Sequence, residues 1–351
     1  MDIKDVAPMR ALRRIKTIFP TVFDKIDQIV EDRDKETRDL WDHSIVYGPV
    51  ALAKAAMEAD SGEEDIVQQS PLDLALITAL AGWRKAKTVY DFAPELAQEI
   101  VRSAQRQDMT MPMDALALPY WSVYIRPNIE EWDIDGFFVY YDEDVDGDGK
   151  HYREIRFTPI DRNGRPRVTL YLITGAGDAD ISIKDCLGNN FNTLKELDIP
   201  RNVEAAGLPM EFPVDQLHND MEKLGDLAAQ FLSFVLYLAA VNADVRRDER
   251  HPFKRTKKVR DIPREVEYLH VGEQAAVHIR SLRSGGGSGE ALGGHHRPPD
   301  MHIRRAHWHT FRIGKGRKLT RIKWLAPILV NADGEEPAAV TVRKIKNSRK
   351  N

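Results

Sequence analysis

Residues 230–241, QFLSFVLYLAAV, are apolar on nearly every side of a helix. A helix of that kind has no face to offer water, so it belongs at the centre of a fold, against a sheet. Upstream, Leu217, Met221, Leu224, Leu227 or Ala228, Phe231, Val235 and Leu238 recur at helical spacing, and Pro213 suits a first turn, which predicts one long helix over residues 213–244. The most apolar window, residues 227–241, is interrupted by Gln230 and Ser233. It is shorter than the roughly 20 residues a spanning helix needs, so no membrane contact is expected.

The sheet that this helix requires lies just before it. Residues 120–126 (YWSVYIR), 136–141 (GFFVYY), 152–158 (YREIRFT) and 168–174 (VTLYLIT) are short aromatic and β-branched runs separated by turn formers, with Asn163-Gly164 in the last gap. Four such strands in order predict an antiparallel meander. Before residue 119 the pattern is helical. Pro8 and Pro20 bracket an amphipathic segment, Ser70-Pro71 is a cap followed by a first-turn proline, and Leu72, Leu76, Leu80, Trp83 and Tyr90 form the stripe expected to pack inward. The expected architecture is α+β: a helical region over 1–115, an antiparallel sheet with the long buried helix over 116–245, and a basic C-terminal module over 246–351. Within that module a Gly-rich linker at 284–294 precedes a hairpin at 302–330.

The hairpin belongs to the densest chemistry in the chain. Residues 295–331, HHRPPDMHIRRAHWHTFRIGKGRKLTRIKWLAPILVN, hold five of eleven histidines and two of six tryptophans. Two extended runs flank Gly314-Lys315-Gly316, where positive φ is cheap. Strand alternation sets His302, Arg304, Trp308 and Arg312 on one face and Arg305, His307, His309 and Phe311 on the other. Arg304, Trp308 and Arg312 then read as a stacking surface flanked by cations, suited to a base or an extended peptide. Trp324 either joins them or is core.

Charge supports a polyanionic contact for this module. Residues 1–240 carry 26 Lys+Arg against 43 Asp+Glu, and residues 241–351 carry 25 against 12, within a net charge of −4. An acidic body bearing a basic third is the balance of a protein that meets nucleic acid or the ribosome, or of two halves that attract one another. The single cysteine, Cys186, leaves no intrachain disulfide or Cys-based zinc site and fits a reducing cytosol. No targeting segment is apparent, so the expected location is the cytoplasm.

Catalytic motifs are incomplete. The acidic turn at 142–148 matches half of a calcium loop, yet position twelve is Arg153, so a plain hairpin turn is the better reading. His307 and His309 have a spacing two metal ligands can use, but Arg305 on their face opposes a divalent ion. As an acid–base pair they are the candidates for ribonuclease chemistry, with Arg305 and Lys315 beside them. Gly175-Ala176-Gly177 lacks the third glycine of a dinucleotide fingerprint, and no Walker lysine motif is present. No metal or cofactor is expected, and an enzyme is the minority reading.

The segment HIRRAHWH at 302–309, the Gly314-x-Gly316 turn, Arg321, Trp324 and Val330-Asn331 resemble the C-terminal signature of a type V-A anti-CRISPR family, second type. Gly82-Trp83-Arg84, then Leu118, Pro119, Trp121, Val123 and Tyr124, then Gly136-Phe137 with Tyr141-Asp142 extend the resemblance in order along the chain. It does not reach residues 175–210 or the Gly-rich linker. The resemblance implies a regulator, in a bacterial host, that recognises the N-terminal peptide of the Cas-twelve-a effector during translation. It further implies loss of the effector mRNA and so a block on effector biogenesis. The implied partners are that nascent peptide and, on the RNA side, the ribosome, the mRNA or a recruited nuclease. The candidate peptide- or RNA-binding residues are Arg304, Arg305, His307, Trp308, His309, Arg312, Arg321, Lys323 and Trp324, as binders rather than catalysts. The alternative is an RNA-binding protein or ribonuclease of a mobile element using the same hairpin.

Overall fold

In a computed structural model, residues 6–36, 53, 56–57, 71–145, 151–167, 169–174, 181–192, 214–247, 266–285, 302–317 and 319–330 are described. Their order is α1 (Ala7–Ile18), α2 (Val22–Glu36), α3 (Pro71–Ala86), β1 (Thr88–Phe92), α4 (Pro94–Ser103), β2 (Ser122–Arg126), β3 (Gly136–Val145), β4 (His151–Ile160) and β5 (Leu170–Ile173). There follow α5 (Ile183–Asn192), α6 (Val214–Ala239), β6 (Val245–Arg247), β7 (Glu267–Val271), α7 (Glu273–Gly285), β8 (His302–Arg304), β9 (His307–Ile313), β10 (Leu319–Leu325) and β11 (Ile328–Val330).

The architecture is α+β, with a mixed rather than wholly antiparallel sheet. Strands run in the order β5-β4-β3-β2-β1-β7-β6. The expected meander is its β2 to β5 half, antiparallel throughout. The added half corrects the helical reading of the N-terminal region: β1 runs parallel to both β2 and β7. Tyr90, placed by the sequence on a helical stripe, is a strand residue. The helix stops earlier because Lys87 adopts φ +47, the left-handed geometry that ends helices, without the glycine that usually marks it.

Alternation along the strands sorts the core into two layers. Val123, Ile125, Phe137, Val139, Ile155 and Phe157 face α4, α5, α6 and α7. Tyr124, Phe138, Tyr140 and Ile160 face α1, α2 and α3. The long helix sits centrally, as its apolar circumference requires: Phe231 stacks on Phe137 with ring centroids 4.1 Å apart. Phe234 meets Phe92 edge-on at 5.0 Å. On the other face Trp83 packs edge-on against Phe138 and donates its indole N–H to the Thr88 carbonyl at 2.8 Å.

Two sequence expectations fall on turns. Gly164, at φ +78, closes the β4–β5 connection, and the Asp161 carboxylate accepts the Asn163 and Arg165 amides there. The acidic turn joins two paired strands, Val145 standing opposite His151. Asp142, the first calcium-loop oxygen, is instead buried and paired with Arg156 at 3.0 Å, which removes the calcium reading at its first position. Residues 146–150 of that turn lie outside the described residues, as do Ser70, Pro213, residues 175–180, the Gly-rich stretch from 286 to 294, His295 and His296.

Candidate basic-aromatic ribbon

The hairpin expected over 302–330, with its Gly314–Gly316 turn, is present with one break. β9 and β10 pair antiparallel from His307 opposite Leu325 to Ile313 opposite Leu319. The turn between them is opened by Gly314 at φ +83 and Gly316 at φ +73. The strand does not run straight from His302. It ends at Arg304, pairs there with β11, and resumes at His307 after a link through Arg305 and the buried Ala306.

Which face is inward is decided by a tryptophan pair. Trp308 stands opposite Trp324, and Trp324 is 3% exposed with its ring edge-on to Tyr237 of α6 at 5.5 Å. Ile322 on the same face is also buried. Trp308, half-buried, packs against this core. The expected stacking surface of Arg304, Trp308 and Arg312 is therefore not formed. A bulky apolar ring gains more by burial against α6 than by standing between cations in water. Trp324 is core.

The opposite face is open. His309 and Lys323 are cross-strand partners, as are Phe311 and Arg321; His309, Lys323 and Arg321 are exposed and Phe311 half-exposed. The His309 imidazole lies nearly parallel to the Phe311 ring, with centroids 6.2 Å apart and planes 19° from one another. Exposed Ile313 and Leu319 finish this face at the turn.

Residues 302–330 contain eight Lys and Arg and no Asp or Glu. Arg304, Arg305, Arg312, Lys315, Arg317 and Lys323 have no ion pair among the described residues, and Arg321 donates only to the adjacent Thr320 carbonyl. Arginines elsewhere among the described residues behave differently. Arg14, Arg84, Arg106, Arg126, Arg156, Arg167, Arg246, Arg247, Arg280 and Arg283 each meet a carboxylate. Uncompensated like charges on one short ribbon repel one another, a cost that a polyanionic partner reverses.

At the strand break the ribbon borders a cavity of about 290 Å³. One wall comes from the end of α4 and the turn after it, with Arg102, Gln105 and Asp108; the other is Arg304, Arg305 and His307. His307 and His309 share the outer face, yet only His307 borders the cavity. Among the described residues no group of three or more His, Cys, Asp or Glu is placed to hold a metal. Cys186 is buried and donates to the Ile173 carbonyl at 3.3 Å; burial pushes its thiol up to about 11, away from nucleophilic use.

A second polar cluster escaped sequence reading. At the carboxyl ends of the parallel strands, Asp91 accepts from Asn128 at 2.9 Å and lies 3.5 Å from Arg126 and 3.7 Å from His270. Asp135 accepts from the Tyr124 hydroxyl at 2.8 Å, and Arg126 reaches it at 3.6 Å. Its members come from separate segments, so only the parallel pairing of β2, β1 and β7 assembles it.

Comparison with known proteins agrees with this architecture. A family model described as AcrVA2-like, the anti-CRISPR type V subtype A2 family, matches residues 90–332, from β1 to just past β11. No curated protein matches the chain. A solved structure described as "Crystal structure of AcrVA2" superposes with a TM-score of 0.57 at 17% identity, covering 91% of this chain and 97% of that one. At that identity the likeness is one of fold.

Proposed function

The chain belongs to the AcrVA2-like, anti-CRISPR type V subtype A2 family, and from that premise we propose that it prevents biogenesis of the type V-A effector nuclease. In this reading it binds the effector's N-terminal peptide as the ribosome makes it and brings about loss of the encoding mRNA. The observation that carries the RNA side is the acid-free ribbon: eight cations without a carboxylate, with His309 and Phe311 nearly parallel and directly across from Lys323 and Arg321. Cations beside exposed rings are the composition of a single-strand nucleic-acid surface. The peptide side rests on family membership.

The test compares effector mRNA in cells expressing this protein, using a native reading frame and one whose early codons are recoded to change the peptide. A message that falls only with the native peptide supports recognition of the nascent chain. Equal loss in both frames overturns it and favours direct action on RNA.

A ribonuclease using His307 and His309 is the second reading. Two imidazoles must reach one phosphate for that chemistry, and the break in the strand brings only His307 to the cavity. Replacing both histidines with alanine separates the readings: a nuclease loses cleavage with binding kept, a binder loses affinity.

A further inference from the structure

We propose that the cavity at the β8–β9 break is a nucleotide site that takes the 5′-phosphorylated end of an RNA strand lying along the ribbon. The inference rests on the reading that the ribbon meets RNA.

Four observations lead to it. The first is the strand break itself. Successive residues of an unbroken strand point to opposite faces, so a continuous strand would part Arg304 from Arg305. Because β8 ends at Arg304 and β9 starts at His307, both arginines border one cavity. The Arg305 carbonyl meets the His307 ring at 3.4 Å, while neither guanidinium has an ion-pair or hydrogen-bond partner among the described residues. Two arginines without carboxylate partners at one concavity suit a phosphate, which a guanidinium can grip with paired N–H donors.

The second is charge. Arg102 joins them from α4, although it also lies 3.8 Å from Glu99. The final carbonyls of a helix attract cations, which accounts for Arg102 alone. Arg304 and Arg305 arrive from another element and exceed that need. The third is size: about 290 Å³ lies at the small end of ligand pockets, near the volume of one nucleotide and well beyond a lone ion. Asp108 is the one carboxylate in the wall among the described residues. A carboxylate opposes a bare anion but suits a ribose hydroxyl, the group that separates RNA from DNA.

The fourth is continuity. His307 borders the cavity and shares its strand face with His309 and Phe311. A strand stacked on those rings, with Arg321 and Lys323 alongside, reaches the cavity at the end of the ribbon away from the Gly314–Gly316 turn. A phosphorylated chain end is the part of such a strand that Arg304 and Arg305 would select there.

The experiment uses the full chain and a short, 3′-labelled single-stranded RNA, in 5′-phosphorylated and 5′-hydroxyl forms, with AMP, dAMP and inorganic phosphate as competitors. The phosphorylated RNA should bind at least tenfold more tightly than the hydroxyl form, and AMP should displace it better than dAMP or phosphate. R304Q/R305Q should remove the 5′-phosphate preference and lower the slope of log affinity against log salt by about 1.4, the value for two single-strand phosphates. Asp108→Asn should remove the preference for AMP over dAMP. Equal binding of both RNA forms overturns the proposal, as does an unchanged preference in R304Q/R305Q. Phosphate competing as well as AMP overturns the nucleotide assignment. AMP binding without any RNA binding would assign a free nucleotide as the source and overturn the strand end. RNA binding that ignores all of these changes leaves the ribbon reading standing and removes only this inference.

Discussion

Asn242 pairs with Trp324 as a neighbouring strand would. Its side-chain amide donates to the Trp324 carbonyl at 2.7 Å, and its side-chain oxygen accepts the Trp324 N–H at 3.0 Å. The Val241 amide adds a bond to the Ile322 carbonyl at 3.0 Å. The turn after α6 thus holds β10, and through β10 it fixes which face of the hairpin looks outward.

Asn242→Ala removes both side-chain bonds and leaves two backbone groups of Trp324 without them. A loss of about 1–3 kcal/mol is expected in urea denaturation. Asn242→Asp keeps the acceptor only and should fall between the two.

Trp324→Ala empties a buried indole site against Tyr237. The expected cost is about 3–5 kcal/mol. His309→Ala, directly across the ribbon's exposed face, should change stability by less than about 0.5 kcal/mol. Equal costs for the two would contradict the assignment of inner and outer faces.

Arg321→Gln with Lys323→Gln removes two exposed cations that have no carboxylate partner among the described residues. Thermal stability should hold or rise slightly, because self-repulsion falls. RNA affinity should drop, and its salt slope should fall by about 1.4. Unchanged affinity with an unchanged slope would remove these residues from the interface.

Cys186 gives a pH signature. Burial raises its thiol from 9.0 to about 11, against a smaller lowering by Asn190. The folded state therefore holds the proton more tightly than the unfolded state. Its contribution to stability is complete below pH 9 and is lost as pH rises through about 11. At pH 8 iodoacetamide should label native protein only as fast as it unfolds, and label it rapidly in urea; fast native labelling would contradict the burial.

Gly136→Ala tests the start of β3. A Cβ there would run into the Ile125 carbonyl oxygen and come within 2.8 Å of the Tyr124 hydroxyl, both part of a closely packed strand pair. A loss of about 1–3 kcal/mol is expected from the displaced backbone.

Period and composition made the central helix, the β2–β5 meander and the Gly314–Gly316 hairpin turn legible, because each is a local pattern. β1 was hidden by a helix that ends on Lys87 at φ +47 with no glycine or proline to announce it. β7 was hidden because a parallel pairing with β1 joins segments far apart in the chain. Within the hairpin, alternation correctly separated Trp308 from His309. It had no means of saying that Ala306 interrupts the strand or which side α6 would cover.

The sequence by itself determined the α+β class, the anti-CRISPR family and the concentration of uncompensated positive charge at 302–330, since composition, period and motif are carried by neighbours in the chain. Tertiary structure decided the rest. Contact between Trp324 and Tyr237 turned the tryptophans inward, and the strand break gathered Arg304, Arg305 and His307 against Arg102 and Asp108. Those outcomes depend on competition between burial and solvation among residues about 90 to 200 positions apart, and that competition is settled only when the chain has packed.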